Sequence, residues 1–188
     1  MSTYLSSVKQ QMAYYKMLGE KAMAQVSDEA LFWQYNEESN SIAVMVQHLH
    51  GNMLSRWTDF LTTDGEKSWR QRDQEFAVKA QTREAVMALW EAGWKVFQQA
   101  LEVLTEEDLT RMIYIRNQGH TVMDAINRQL AHYPYHIGQI VFIAKMCAGT
   151  WSTLSIAKGQ SGAYNADKFA QPKREEHFTK EFLKDKGK

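Results

Sequence analysis

Apolar residues recur at three- and four-residue steps along most of this chain, the period of a helix that buries one stripe. Leu5, Val8, Met12, Tyr15, Ala22 and Val26 keep that period and predict a first helix from about residue 3 to 25. Ser27-Asp28-Glu29 reads as a short cap before a minor turn, ALFWQY. The polar stretch NEESNS ends in residues suited to an N-cap, and Ile42, Val46, Leu49, Met53, Trp57 and Phe60 then mark a second helix, closed by Asp64-Gly65. A third runs from about 82 to 104, with Val86, Leu89, Trp90, Trp94, Phe97, Leu101 and Leu104 on a wide apolar face. After LTEEDL, the segment MIYIRNQGHT alternates apolar and polar residues around Gly119, the pattern of an extended segment or small hairpin. Thr121-Val-Met-Asp124 has the form of a capping box with aspartate in place of glutamate, and opens the last long helix, from 122 to about 148.

Two prolines and ten glycines in 188 residues leave these patterns almost uninterrupted, so the fold class is all-α. The expected architecture is a four-helix bundle over residues 1–150. Residues 151–188 form a C-terminal extension of the same domain, docking through Trp151, Leu154 and Ile156 and then fraying in a charged tail. Residues 62–80 are charged, weakly periodic and read as a connection. Extended at ~3.3 Å per residue they span about 60 Å, twice the ~30 Å length of a 20-residue helix, so a long crossover between the second and third helices is allowed.

Charge and composition narrow the partners. Lys+Arg 22 against Asp+Glu 22 gives no net field to attract a nucleic acid or an acidic membrane face. No run approaches the ~18 apolar residues of a membrane span, and no basic segment followed by an apolar run opens the chain. The single cysteine, Cys147, lies in an apolar helical run and is expected to be a buried, inert thiol. A soluble cytoplasmic protein is the expectation. Ten methionines and six tryptophans fall mostly on the helical stripes and read as core, and AKGQSGAYN lacks the spacing of a phosphate-binding loop.

The chemistry-bearing residues concentrate in LAHYPYHIGQI. Positions four apart on a helix stand about 5 to 6 Å apart on one face, so His132 and His136 can aim at one metal ion. The same pair also suits a solvated or hydrogen-bonded helix face, and a third ligand decides between the two. His177 stands among charges in the tail and His120 in a loop. His50 lies beside the core stripe and reads as a core or boundary histidine. His48 shares its face with Ser41, Val44, Gly51 and Ser55, small residues that leave space above the ring. Tyr133 follows the first histidine where a zinc peptidase has its catalytic glutamate, which argues against that class. Pro134 between the two histidines removes one helical hydrogen bond, at a cost of ~3 kcal/mol, and is expected to kink the helix or insert a one-turn bulge. Arg128, Gln129, Tyr135 and Gln139 share the histidine face and are candidates to bind a substrate or orient the ligands. Trp69, Arg70 and Arg72 in the connection can reach the mouth of such a site and pair with a carboxylate.

Taken in order and spacing, SIAVMVQHL, HYPYHIGQI, the lead-in VSDEALFWQ and LTEEDL resemble the DinB/YfiT-like superfamily of metal-binding four-helix bundles, over most of residues 1–150. The resemblance implies His48, His132 and His136 as ligands of one divalent ion, usually zinc or nickel, and a bundle with two adjacent parallel helices joined by a crossover. Three imidazoles leave a tetrahedral ion one open position. What the resemblance implies for function is activation of a low-molecular-weight thiol, as in the bacillithiol- and mycothiol-using S-transferases, or of water, as in a hydrolase. It also implies a small-molecule substrate and allows a homodimer. The expectation from another class is a non-catalytic metal-binding stress or scaffold protein.

Overall fold

The computed structural model describes residues 3–77 and 79–183 and is mostly helical. Thr3 caps α1 (Tyr4–Met23), Ser27 caps the short α2 (Asp28–Leu31), and Ser41 caps α3 (Ile42–Trp57), each side chain accepting from the first turn. Thr82 does the same for α4 (Arg83–Glu102). Thr121 and Asp124 form the full reciprocal capping box of α5 (Val122–Cys147), as their spacing predicts. The stripes that predict these helices supply the core: Met12, Val46, Leu49, Trp90, Trp94, Phe97, Ile126 and Ile137 are all buried.

Pairwise contacts fix the relative directions of the long helices. Lys9 meets Glu102, Lys16 meets Glu91, and Gly19 packs under the Trp90 indole, so α1 and α4 run in opposite directions. Along α3 and α4, His50 and Met53 face Gly93 while Trp57 packs on Phe97, so these two run in the same direction. Parallel neighbours need a return path, which the segment between Trp57 and Arg83 provides. That segment is more ordered than its composition suggests. It contains a 3-10 turn over Arg72–Phe76, and the amide of buried Gln47 clamps it by donating to the carbonyls of Gln74, Glu75 and Ala77 and accepting from Lys79 N–H.

The small hairpin is β1 (Met112–Ile115) with β2 (Gln118–Thr121), antiparallel, and its turn is Arg116-Asn117, not Gly119. Both turn residues have positive φ, 56° and 59°, the backbone of a tight two-residue hairpin turn, in which Asn is at home. Asp64 does not close α3, which ends at Trp57. Its carboxylate instead accepts from the backbone N–H of Arg116 and Asn117, tying the hairpin to the connection.

Pro134 sits inside α5 without breaking it, and the expected one-turn bulge is absent: the helix is α-helical across the proline. Neighbouring Tyr133 anchors this stretch. Its buried hydroxyl accepts from Trp57 Nε1 at 2.9 Å and donates to Asn52 Oδ1 at 3.1 Å, fixing α5 against α3. Beyond α5 come α6 (Ser161–Phe169) and α7 (Lys180–Leu183). His177, which sequence places in a solvated tail, bonds Ser7 and Thr179, while Phe178 and Phe182 pack on Tyr14 of α1. The last part of the tail expected to fray, 184–188, lies outside the described residues. Cys147 is half-buried, with burial pushing its thiol pKa up. Among the described residues no helix is long and apolar enough to cross a membrane.

Tyr133→Phe strips the only hydroxyl from this junction and leaves the Trp57 and Asn52 groups without it. We expect a loss of about 1–3 kcal/mol, read as a lower urea midpoint at unchanged slope; no shift would mean that the bridge does not hold α3 to α5.

Candidate metal centre

Three of the six histidines converge. His48 projects from the middle of α3, and His132 and His136 from successive turns of α5, bracketing Tyr133. His132 Nε2 lies 3.4 Å from His48 Nε2 and 3.1 Å from His136 Nε2, and one ligand atom from each of the three falls within 4.8 Å of the others. His50, His120 and His177 lie outside this group.

The outer nitrogens explain the orientation. His48 Nδ1 is 2.9 Å from Glu75 Oε2, His132 Nδ1 is 3.1 Å from Gln129 Oε1, and His136 Nδ1 is 2.8 Å from Gln139 Oε1. A carboxylate and two amide oxygens can only accept, so each Nδ1 carries the proton and each Nε2 turns a lone pair inward. The two glutamines obey helix spacing, each three residues from its histidine on the outer side of the pair. Gln139 is held in turn by its own Nε2 donating to the Tyr135 hydroxyl. Tyr135 itself is exposed.

Glu75 is the residue that sequence spacing did not reveal. The space expected above His48 exists, but Glu75 fills it. Gly51, one turn along α3, makes room: a Cβ there would lie 2.3 Å from Glu75 Oε1. Arg70 grips the same carboxylate through Nε at 2.7 Å and Nη2 at 3.0 Å. Burial pushes the Glu75 carboxyl pKa up, but the hydrogen bonds from His48 and Arg70 and the guanidinium charge outweigh it and hold it below the usual range. On its other side His48 stacks against Phe76, centroids 5.1 Å apart.

Beside the imidazoles lies a cavity of about 280 Å³. His48 and His132 form one wall, and five arginines line the rest: Arg56, Arg70, Arg72, Arg116 and Arg128. Of the residues singled out from sequence, Arg70, Arg72, Arg128 and Gln129 are on this wall, Gln139 sits behind His136, and Trp69 is exposed and not part of it. Arg56 and Arg116 were not foreseen. The helix-interior Gly51 was the available signal for Glu75, since glycine there costs about 1 kcal/mol and asks for a reason, and a Cβ at that position would meet the Glu75 carboxylate.

His132 and His136 are poor proton acceptors. Burial, then the neighbouring His136 and His48 rings and the charges of Arg128 and Arg56, push the His132 pKa down to about 3. Burial also lowers His136, against the opposing pull of Gln139. At neutral pH both are lone-pair donors, the form a metal requires.

Residues 1–160 match the family described as Protein of unknown function (DUF1572), and the chain belongs to that family. No curated protein and no solved structure matches the chain.

The depressed His132 pKa has a consequence for the metal-free protein. Between about 3 and the unfolded value of 6.5 the unfolded chain binds a proton that the folded chain refuses, so stability is greatest above 6.5 and declines as pH falls through that window. Thermal unfolding of chelator-treated protein across about pH 4 to 8 is expected to show that decline, and His132→Ala to flatten it. Equal slopes in both proteins would show that His132 is not held neutral.

Proposed function

We propose that His48, His132 and His136 hold one divalent ion, zinc or nickel, and that the protein is a metal-dependent enzyme acting on a small molecule in the cytoplasm. The reading is carried by one observation: three imidazoles with their outer nitrogens committed and their Nε2 lone pairs turned to a common point. Such lone pairs repel one another unless a cation or proton lies between them, and the low His132 pKa disfavours the proton. The donor set fits the ion. A tetrahedral zinc with Zn–N of about 2.0–2.1 Å sets its nitrogens roughly 3.3 Å apart, and two of the separations here are 3.1 and 3.4 Å.

Structural zinc sites are closed by four protein ligands, whereas three leave a place for a reactant. When bound, the ion would supply Lewis acidity, allowing a water or thiol to ionise near neutral pH. The chain's own residues set up that chemistry. Glu75, kept ionised by Arg70, orients His48, as carboxylates behind ligating histidines do. Gln129 and Gln139 hold the other two rings in the correct tautomer. Among the residues lining the cavity there is no carboxylate to act as a general base. A thiol, with a free pKa of ~8.5, has less need of one than water, which favours S-transfer over hydrolysis. The two same-direction helices and their long connection support reading the fold as the four-helix bundle of the DinB/YfiT-like superfamily. A homodimer belongs to the same proposal.

Elemental analysis of the purified protein should find about one equivalent of divalent metal per chain, and His132→Ala should lose it. Full stoichiometric metal in that variant would refute the chelate. Glu75→Gln is expected to weaken metal affinity by roughly 10–100-fold in a chelator competition, and an unchanged affinity would remove Glu75 from the site. Turnover of an electrophile by low-molecular-weight thiols, set against ester hydrolysis, distinguishes the two reactions. Failure of both in metal-loaded protein would instead indicate a metal-binding stress or scaffold protein.

A further inference from the structure

We propose that the arginine-walled cavity binds the anionic part of the substrate, a group carrying at least two negative charges on oxygen, such as a phosphate or a dicarboxylate. This deepens the metal-centre reading and rests on it for what happens at the substrate's other end.

The positive charge here is local. The chain as a whole is neutral, yet five guanidiniums from four separate parts of it meet around one cavity. Arg56 follows His48 and Asn52 at four-residue steps on α3, and Arg128 precedes His132 and His136 at the same step on α5. Both ligand helices therefore carry their stripe past the imidazoles to an arginine. Arg70 and Arg72 come from the connection, and Arg116 from the hairpin turn that Asp64 holds in place. The carboxylates nearby do not balance them. Glu66 accepts from Arg56 at 2.9 Å and Arg116 at 3.2 Å, and lies 3.5 Å from Arg70; Glu75 is shared by Arg70 and His48; Asp73 is 3.9 Å from Arg72. Even with all three, five cations face three anions, and none of those carboxylates lines the cavity.

Two donors are left over. Arg128 has no hydrogen bond or ion pair among the described residues. Arg56 is buried, and its Nε has no hydrogen-bond partner there. Gathering like charges and burying an unmatched guanidinium N–H both cost stability, so the fold gains nothing from the arrangement by itself. A bound oxyanion repairs both defects, and guanidinium forks match carboxylate and phosphate geometry. The size is suitable: a water needs only about 10–15 Å³ of such space, so about 280 Å³ admits a group of several heavy atoms. Because His48 and His132 form one wall, an anion seated among the arginines leaves the rest of its molecule against the imidazoles.

Calorimetric titration of inorganic phosphate, malonate and acetate, at constant ionic strength, into chelator-treated and zinc-loaded protein tests this. We expect phosphate or malonate to bind saturably to both forms, at least about tenfold tighter than acetate; the tighter of the two names the group. Arg128→Ala, at an exposed helix position, should weaken that binding by about tenfold or more. Arg56→Lys, which keeps the charge but loses Nε, should also weaken it. Arg111→Ala makes the same charge change away from the cavity and should have no effect. The proposal is overturned by absence of saturable binding, by acetate binding equally well, or by equal losses in Arg128→Ala and Arg111→Ala. Binding that needs zinc and ignores Arg128→Ala would make the anion a metal ligand and likewise overturn it. Because chelator-treated protein is included, a chain that fails to hold metal can still bind the anion, and the two failures are distinguishable.

Discussion

The constraint on which the rest depends is the mutual approach of three imidazole lone pairs. His132 Nε2 stands 3.1 Å from one neighbour and 3.4 Å from the other, and every outer nitrogen is already donating a proton to an oxygen. Neutral rings so arranged are electrostatically unsatisfied at their shared centre. Burial and adjacent guanidiniums make protonation a poor remedy. A divalent cation with room for nitrogen donors would satisfy that centre.

Much of the surrounding structure serves to hold that arrangement. Helix α3 meets α5 through Tyr133, Trp57 and Asn52, which sets the height of His48 relative to the α5 pair. Gln47, the residue before His48, clamps the 3-10 turn of the connection, and Gly51 lets Glu75 come down onto the His48 ring. Connection and helix therefore cooperate through polar contacts made from Gln47 and His48 of α3 to Gln74, Glu75, Ala77 and Lys79. Placing buried polar groups this way is stabilising only if all are satisfied, and the outer nitrogens of the imidazoles are, each with an oxygen acceptor. At the adjoining cavity the Nε of buried Arg56 is unmatched.

The helices and the histidine triad were legible because both are written in short spacings. Apolar three-and-four steps gave the first, third and last long helices to within a few residues and ran the second past its end at Trp57, the capping signals at Ser41 and Thr121 marked two starts, and the four-residue step from His132 to His136 implied a shared face. His48 required more than spacing: the resemblance to a metal-binding superfamily selected it among the remaining histidines. Glu75 and Arg116 were not legible, because each reaches the site through tertiary contact from a segment without helical periodicity; Arg56 shares the four-residue step of His48 and Asn52 on α3, but only the fold shows that step opening onto the cavity. The hairpin was legible from its alternation around Gly119, but its turn was not, because the positive φ falls on Arg116 and Asn117 under the hold of Asp64 and not on the glycine. Pro134 was expected to distort α5, yet the helix continues through it, with Tyr133 and Ile137 buried on either side.

The centre is asymmetric in charge, with arginines gathered on one side of the imidazoles and an apolar groove lined by Trp33, Met45, Tyr135 and Phe142 on the other side of α5's His136 and Gln139. A substrate with an anionic end and an apolar or thiol-bearing end would match that polarity. All of this presupposes an ion at the imidazoles. The most direct test is the zinc-edge X-ray absorption spectrum of stoichiometrically loaded protein. Three imidazole nitrogens at about 2.0–2.1 Å with one further light scatterer is the expected first shell; sulfur near ~2.3 Å, or fewer than three imidazoles, would contradict it.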